Sequence, residues 1–416
     1  MDLLDDLDAR GLLQDTTDRD ALRARLAEGP ITLYYGCDPT ADSLHVGNLI
    51  GLVVLRRFAE AGHRPIALAG GATGMVGDPG GRSEERNLLD EPTLRANVAA
   101  IKEQITRVLG GSSFDLVDNL DWTKDLTLLD FLRTVGKHVT VNQMMARESV
   151  RARLESEHGI SFTEFSYMLL QGNDYRVLHD TRGCELQIGG SDQWGNILSG
   201  VDLIRRAAGA AVHALCWPLL LAPDGTKLGK TTGARTWLSA ERTSYSEFFQ
   251  HWLHTDDRQV GEFLRKFTLL PLDEIDAVVA EHDAAPEKRS GQLVLARAMT
   301  AMVHGDDAVA VAEGSRAAFG GGLDAASLQA LEGTIDTSSL DGPLPVPLVD
   351  VLAEHGLTKS KGEARRLIEQ GGISLNDVVE RDVAASLTAD SFVDGRWLLV
   401  GLGKRRRHLV VRAVSS

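Results

Sequence analysis

Five short apolar segments in the first half of the chain constrain its fold most. Each is apolar throughout, and longer segments with helical patterns lie between them, for example residues 43–61 and 88–109. Continuously apolar strands are typical of sheets buried on both faces, and strands that alternate with helices are typical of α/β folds. We therefore predict a doubly wound, Rossmann-like parallel sheet. Its strands are expected at residues 31–36, 64–70, 114–119, 184–190 and 214–222.

Small, polar and charged residues follow four of these segments. They occupy residues 37–40, 70–86, 189–196 and 223–233. Ligands of open α/β sheets bind beyond the carboxyl ends of the strands, so we expect these four segments to line one crevice. No Gly-x-Gly-x-x-Gly follows a strand, so a dinucleotide site is not indicated.

A helix is predicted to begin within the sequence DPTADSLHVGN at residues 38–48. His45 and Asn48 are three residues apart and lie on one face near its N-terminus, and Gly47 would let a flat ligand approach the backbone. A helix N-terminus favours anions, so a triphosphate and its ribose are one interpretation. The alternative is two capping residues on a surface helix.

The second candidate is the glycine-rich loop DGTKLGKTTG at residues 224–233. Only three residues separate Gly225 from Gly229, and the phosphate-binding loop of nucleotide hydrolases requires four. The loop is therefore predicted to carry Lys227 and Lys230 as a movable cationic arm. The alternative is a solvated basic loop.

A polar stripe is predicted on the helix that contains FSYMLLQGNDY. Tyr167, Gln171 and Asp174 recur at helical spacing between apolar neighbours. Such a stripe meets either solvent or a polar ligand, and the nearby strand ends favour a ligand. An ammonium group would then lie near Tyr167, Gln171 and Asp78, and a distant hydroxyl near Asp174.

The charge distribution separates the last residues from the rest. The net charge is −15, yet residues 348–416 hold 11 Lys and Arg against 9 Asp and Glu, and include the cluster GKRRRH. Basic clusters favour nucleic acid. The acidic N-terminus, the lack of an apolar run of about 18 residues and three widely spaced cysteines predict a cytoplasmic protein without a membrane span or a metal site.

Five segments are predicted along the chain. They are an α/β domain at residues 1–220, a mobile lysine loop at 221–236, a helical domain at 237–330, a polar linker at 331–347 and a small α+β module at 348–416, whose basic cluster favours nucleic acid.

These motifs resemble the paired signatures of class I aminoacyl-tRNA synthetases. His45-Val46-Gly47-Asn48 is similar to the "HIGH" motif, and Lys227-Leu228-Gly229-Lys230-Thr231 is similar to the "KMSKS" motif. The segments LYYGCDPTADSLHVGN, GGATGMVGDP, ISFTEFSYMLLQGNDY and LQIGGSDQWGN resemble the bacterial tyrosyl-tRNA synthetase family, over essentially the whole chain. The last residues resemble an RNA-binding module shared with a ribosomal protein.

The resemblance implies a set of site residues. Catalysis would involve Thr40, His45, Lys227 and Lys230. Tyrosine would be bound by Tyr34, Asp78, Tyr167, Gln171, Asp174, Gln187 and Gln193, with Tyr34 and Asp174 on the phenol. ATP would be bound by Asp38, Thr40, His45, Gly47, Asn48, Gly190, Asp192, Lys227, Lys230, Thr231, Arg82 and Arg86. The tRNA would meet Arg205, Arg206, Lys404, Arg405, Arg406 and Arg407.

The resemblance also implies the partners and the reaction. L-Tyrosine would be activated by ATP, which brings Mg²⁺, and transferred to the 3′ end of tRNA(Tyr) by a homodimer. There would be no tightly bound prosthetic group and no membrane partner. Two positions depart from the family: Tyr35 stands where relatives often have cysteine, and Gly51 is smaller than the usual residue. Both departures concern the expected contacts with ATP.

Three alternatives remain at this point. A tryptophan-specific synthetase is the nearest, although Tyr34 with Asp174 favours a phenol over an indole. Another nucleotidyltransferase with an HxGH motif would not need the helical domain or the basic tail. An RNA-binding protein with a degenerate synthetase core would not need His45, Lys227, Lys230, Asp78 and Asp192 intact.

Overall fold

The computed structural model describes residues 1–78, 90–155, 159–221, 235–320, 325–332, 335–376, 378–403 and 406–412. The chain forms two compact units. The first comprises Met1–Ser244 with His251–Val303, and the second comprises Tyr245–Gln250 with His304–Ser416.

A six-stranded sheet forms the centre of the first unit. Its strands, in the described residues, are β1 (Asp15–Thr16), β2 (Thr32–Cys37), β3 (Arg64–Ala69), β4 (Asp115–Asp118), β5 (Cys184–Gly190) and β6 (His213–Trp217). The order is β1-β6-β5-β2-β3-β4, and all neighbours are parallel except β1 with β6. The predicted doubly wound sheet is therefore confirmed. Strand β6 ends five residues before the predicted end, because Pro218 has no N–H to donate to a neighbouring strand.

Helices connect these strands and continue after the sheet. They are α1 (Leu3–Ala9), α2 (Arg19–Glu28), α3 (Val46–Glu60), α4 (Gly71–Val76), α5 (Glu91–Val108), α6 (Leu120–Thr123), α7 (Leu128–Thr134), α8 (Val141–Met145), α9 (Glu148–Leu154), α10 (Phe162–Arg182), α11 (Trp194–Ala208), α12 (Tyr245–Leu253), α13 (Val260–Phe267), α14 (Leu272–Ala284) and α15 (Ser290–His304).

Buried apolar side chains hold the sheet and its helices together. Tyr34, Ile66 and Val117 from three strands pack with Tyr175 and Leu178 of α10. Helix α10 lies close to α11, since a Cβ at Gly172 would be 3.4 Å from the backbone nitrogen of Gly200. This packing fixes the polar stripe of α10 beside the ends of β2 and β3.

The second unit contains a smaller core around a five-stranded sheet. Its further elements are α16 (Asp306–Gly320), α17 (Ala325–Leu331), β7 (Thr337–Leu340), β8 (Val346–Pro347), α18 (Leu348–Glu354), α19 (Lys361–Glu369), β9 (Ile373–Leu375), β10 (Val378–Glu380), β11 (Ser386–Leu387), β12 (Trp397–Leu402) and β13 (Arg406–Arg412). The sheet order is β10-β9-β12-β13-β7.

The polar segment at residues 331–347 differs from the predicted linker. Strand β7 in this segment pairs with β13 in parallel and forms one edge of the sheet. A short Thr-Ser-Ser-Leu strand at an edge needs only one neighbour, and its side chains show no apolar period that would identify it in sequence. Among the described residues, no helix is long and apolar enough to cross a membrane.

Candidate active site

His45 caps the N-terminus of α3 with its side chain. Its Nδ1 accepts a hydrogen bond from the backbone N–H of Gly47 at 3.0 Å, and the amide oxygen of Asn48 accepts one from the N–H of His45 at 3.1 Å. A Cβ at Gly47 would lie 2.8 Å from the imidazole, so a glycine is needed there. Because Nδ1 accepts, the proton of a neutral His45 lies on Nε2. His45 therefore caps the helix and still has a hydrogen-bond donor, Nε2–H, for a ligand. The two interpretations from the sequence, capping and ligand binding, are compatible.

The imidazole of His45 is neutral near pH 7. Burial, and then the positive charge of Arg235, lower the pKa of His45 from 6.5 to about 4. A neutral imidazole can donate a hydrogen bond to a phosphate oxygen, but it adds no positive charge. The positive end of α3 and nearby cations must supply that charge.

Asp174 occupies the buried end of the polar stripe on α10. Its side chain is 2 % exposed, and its two carboxylate oxygens accept hydrogen bonds from Nδ2 of Asn119 and Nε1 of Trp122, each at 2.9 Å. Burial raises the pKa of Asp174 to about 7, against the lowering effect of these two hydrogen bonds. Asp174 therefore ionises near neutral pH, and two fixed donors offset part of the cost of its buried charge.

The phenol of Tyr34 lies close to this carboxylate. Burial and the charge of Asp174 raise the pKa of Tyr34 well above 10. Its hydroxyl is buried and has no hydrogen-bond partner among the described residues. Burying an unpaired hydroxyl costs free energy, so an external hydroxyl that bonds both groups would stabilise this arrangement.

Thr73, Asn119 and Trp122 join the predicted site residues, and sequence reasoning missed them. Oγ1 of Thr73 donates to Oδ1 of Asp38 at 2.8 Å and accepts from Nδ2 of Asn119 at 3.1 Å. The network thus links the ends of β2, β3 and β4 to Asp174. The sequence contained a sign of Asn119, because the polar residues Asp118 and Asn119 end the predicted strand at residues 114–119.

Residues predicted to bind an ammonium group make two separate contacts. The hydroxyl of Tyr167 donates to Oδ2 of Asp38 at 3.3 Å. Nε2 of Gln193 donates to Oδ2 of Asp78 at 2.6 Å. The side-chain oxygens of Gln171 and Gln187 are buried without a partner in the described part of the chain. Two carboxylates and two free amide oxygens suit a group that donates several hydrogen bonds, as an ammonium does.

Aromatic and small residues form the other side of the crevice. The rings of Tyr35 and Trp217 are 5.8 Å apart, and the Tyr35 hydroxyl lies near the side chain of Asn48. A Cβ at Gly51 would be 2.3 Å from Cζ of Tyr35, so the ring fills the space that Gly51 leaves. Burial, and then the charges of Cys37, Asp192 and Asp38, raise the pKa of Tyr35.

Gly190 and Asp192 complete the side of the crevice that Tyr35 and Trp217 form. A Cβ at Gly190 would lie 2.7 Å from Oδ1 of Asp192 and 3.6 Å from Nε1 of Trp217. Asp192 and Thr40 are exposed, and the N–H of Thr40 donates to the carbonyl of Asp38 at 2.9 Å. The surface beside Trp217 and Tyr35 is therefore open to a flat ligand with hydroxyl groups.

Several predicted residues lie outside the described residues. They are Arg82, Arg86, Lys227, Lys230, Thr231, Lys404 and Arg405, together with the side chain of Arg406. Of the predicted tRNA-binding residues that are described, Arg205 pairs with Asp202 at 3.2 Å on the surface. Arg206 donates to the carbonyl of His138 at 2.5 Å and to Gln143 at 3.0 Å, and Arg407 donates to the carbonyl of Gly403 at 3.3 Å. Their role in tRNA binding stays a prediction.

The described residues contain no group of three or more His, Cys, Asp or Glu side chains that could hold a metal ion. The expectation that Mg²⁺ arrives with ATP stays a prediction.

Comparison with known proteins agrees with this geometry. Residues 26–320 match the family described as "tRNA synthetases class I (W and Y)". Residues 332–410 match the "Tyrosine--tRNA ligase SYY-like C-terminal domain".

Individual relatives are similar over most of their length. The chain is 49% identical to a tyrosine–tRNA ligase of Opitutus terrae and 48% identical to one of Bacillus caldotenax; the matches cover 100% and 99% of both chains. The solved structure of a C-terminally truncated Aspergillus nidulans mitochondrial tyrosyl-tRNA synthetase matches at 32% identity and a TM-score of 0.69, covering 76% of this chain and 93% of that one. The chain belongs to the class I tRNA synthetases of the tryptophan and tyrosine group.

Proposed function

We propose that this protein is a tyrosine–tRNA ligase, which activates L-tyrosine with ATP and transfers it to the 3′ end of tRNA(Tyr). The observation that carries the proposal is the buried pair at the end of the pocket. The unpaired hydroxyl of Tyr34 and the carboxylate of Asp174 need a ligand group that donates one hydrogen bond and accepts another. A phenol hydroxyl does both, whereas the indole of tryptophan only donates. The names of the relatives at 48–49% identity support the same choice.

The first step joins tyrosine to the nucleotide. An oxygen of the tyrosine carboxylate attacks the α-phosphorus of ATP, the bond to the β-phosphate oxygen breaks, and pyrophosphate leaves. The carboxylates of Asp38 and Asp78 would hold the ammonium group. The N-terminus of α3 and Nε2–H of His45 would stabilise the phosphate charge, and Lys227 and Lys230 would add cations. This positions the reacting atoms without a covalent bond to the protein.

The second step transfers the tyrosyl group. A terminal ribose hydroxyl of the tRNA attacks the carbonyl carbon of the adenylate, and AMP leaves as the ester forms. Mg²⁺ would arrive with ATP and neutralise part of the phosphate charge. The cytoplasmic location expected from the sequence stays a prediction.

Amino-acid-dependent exchange of pyrophosphate into ATP tests the activity. Each of the twenty amino acids is supplied in turn to the full-length protein. Tyrosine should support exchange, and phenylalanine and tryptophan should not. Exchange with tryptophan alone would replace the proposal by the tryptophan-specific activity, and exchange with none would exclude both.

The second unit is proposed to bind tRNA. It contains residues 348–416, which carry a net positive charge, and its sheet has a continuous core that includes Leu348, Leu398 and Val410. The catalytic domain would then activate tyrosine without it.

Deleting residues 332–416 should spare tyrosine-dependent pyrophosphate exchange within about 2-fold and lower tRNA charging at least about 100-fold, because phosphate contacts dominate nucleic-acid affinity. Both rates are measured on the same preparation. Because Leu328 and Leu331 pack on Trp397 in this unit, the truncated chain is first checked for solubility and for its melting profile. A point variant, Arg407→Gln, should reduce charging alone. Charging at the parent rate after the deletion would exclude this role.

We also propose a homodimer, formed through α7, α8 and the start of α10. Large apolar side chains are exposed there: Leu128 and Leu129 at 71 %, Val141 at 58 % and Phe162 at 80 %. No residue of α7 is buried in the single chain. Exposed apolar residues of this size are typical of interaction surfaces.

Replacing Leu129 by aspartate should halve the mass seen by sedimentation at micromolar concentration, because a charge would be buried without a partner. The matched control is Val379→Asp, which changes an exposed valine of the second unit. The parent mass in the Leu129 variant would contradict the interface, as would a halved mass in the control.

A further inference from the structure

The segment after residue 234 is fastened to the turn that carries His45. The N–H of Val46 donates to the carbonyl of Thr236 at 3.1 Å, and the N–H of Leu238 donates to the carbonyl of Leu44 at 2.8 Å. His45 and Trp237 therefore face each other in an antiparallel bridge. The backbone at residues 236–238 is held beside the N-terminus of α3.

The ring of Trp237 lies between His45 and two arginines. It meets the imidazole edge-on at 6.2 Å, and the guanidinium groups of Arg242 and Arg235 lie 4.8 and 5.8 Å from its centroid. Arg242 also forms an ion pair with Asp42, which offsets its charge. Arg235 is exposed, and no carboxylate among the described residues pairs with it.

A triphosphate beside His45 would need a neighbouring cation, and Arg235 is close enough to act on His45. Arg235 acts electrostatically on His45, whose lowered pKa leaves it neutral near pH 7. A triphosphate carries several negative charges, and a neutral imidazole cannot balance them. Within the described part of the chain, Arg235 is the cation that the structure places beside this donor.

We propose that Arg235 binds the polyphosphate of ATP and that Trp237 positions it beside His45. A planar guanidinium can donate two parallel hydrogen bonds to phosphate oxygens, and stacking on an indole keeps its plane fixed. Arg235 lies outside the sequence Lys227–Thr231, so its contribution is separate from that of the two lysines. The inference rests on the proposed function, which supplies ATP as the ligand.

Kinetics of the full-length protein test the proposal. Arg235→Gln should raise the KM for ATP about 10-fold or more in pyrophosphate exchange and leave the KM for tyrosine within about 2-fold, because a charge-assisted hydrogen bond is lost only at the phosphates. Arg235→Lys should recover part of the loss, since it keeps the charge but not the planar donor pair. Trp237→Phe should give an intermediate KM for ATP, because a phenyl ring holds a cation less strongly.

Arg107→Gln is the matched control, because it removes an exposed, ion-paired arginine from the same unit. It should leave both KM values unchanged. If Arg235→Gln behaves like this control, the proposal is overturned. Equal losses for ATP and tyrosine, with no recovery in Arg235→Lys, would also overturn it, since they would indicate a purely structural role.

Direct binding separates this proposal from the proposed function. Calorimetry with inorganic pyrophosphate needs no turnover and no amino acid. Arg235→Gln should weaken pyrophosphate binding about 10-fold and make it less dependent on salt. This result would support the anion contact even if no amino acid supports exchange, and unchanged binding would overturn the contact even if tyrosine does.

Discussion

An alanine at position 51 should raise the KM for ATP about 10-fold or more, with little change in the KM for tyrosine. The added Cβ would lie 2.3 Å from Cζ and 2.6 Å from Cε2 of Tyr35, so the ring must move. The ring is buried beside Trp217 and its hydroxyl lies near Asn48, so it has little room to yield. Overpacking of this kind costs about 1–3 kcal/mol. We expect the cost at the nucleotide side, because Asp38 and Asp192, which are expected to bind ATP, act electrostatically on Tyr35.

Removing the Tyr35 ring should abolish the effect of the alanine methyl group at position 51 on the KM for ATP. In a Tyr35→Ala background the space is vacant, so Gly51→Ala should change the KM for ATP less than about 2-fold. Contacting residues are expected to be non-additive in this way. Tyr35→Ala alone should raise the KM for ATP, since the ring beside Asn48 and Trp217 is lost. The four proteins of this cycle are compared by pyrophosphate exchange at varied ATP.

Gly136→Ala serves as the matched control in the same unit. Its Cβ would make only ordinary contacts, at 3.5 Å to Leu132 and 3.9 Å to a backbone oxygen. It should leave all kinetic constants unchanged. A full effect of Gly51→Ala in the Tyr35→Ala background would show that the collision with Tyr35 is not its cause.

Much of the site followed from local sequence patterns. The strand ends after residues 37, 69 and 190 meet in one crevice, because parallel strands in one sheet end at the same edge. Asp174 and Tyr167 share a helix face because helical spacing is regular. Both patterns depend on the regular geometry of strands and helices, and the spacing of residues in the sequence is enough to predict them.

Side-chain contacts between distant elements could not be derived in this way. Tyr35 is on β2 and Gly51 is on α3, and only the packing of that helix on the strand shows that the ring fills the space of a missing side chain. The donors to Asp174 come from residues 119 and 122, after a strand whose end was not included in the predicted crevice. Strand β7 was missed for another reason, since its pairing with β13 depends on a partner about 70 residues away.

Replacing Asp174 by alanine should lower kcat/KM for tyrosine about 100-fold or more. The change removes the acceptor for the substrate hydroxyl and leaves Nδ2 of Asn119 and Nε1 of Trp122 buried without their partner. A hydrogen bond to a charged group contributes about 1.5–3 kcal/mol. The loss should be much smaller for phenylalanine, which has no hydroxyl to bind. Discrimination between the two amino acids should therefore fall, as measured by exchange at varied concentrations of each.

The pH dependence follows from the raised pKa of Asp174, which burial brings to about 7. Both oxygens already accept hydrogen bonds, so the ionised form is the one suited to accept a third from the substrate. The KM for tyrosine should therefore fall as the pH rises from about 6 to 8. The effect on stability has the opposite sign. Because the pKa in the unfolded chain is about 3.9, the folded state binds this proton more tightly, and that contribution to stability is lost as the pH rises through 7.

Two conservative variants separate the roles of the buried pair. Asp174→Asn keeps the shape but removes the charge, so it should abolish this pH dependence of the KM for tyrosine. Tyr34→Phe removes a hydroxyl that has no partner among the described residues, so it should cost less in kcat/KM than Asp174→Asn and leave the pH dependence intact. Unchanged selectivity against phenylalanine in both variants would contradict the assignment. The substrate hydroxyl would then lie elsewhere, and the buried pair would have only a structural role.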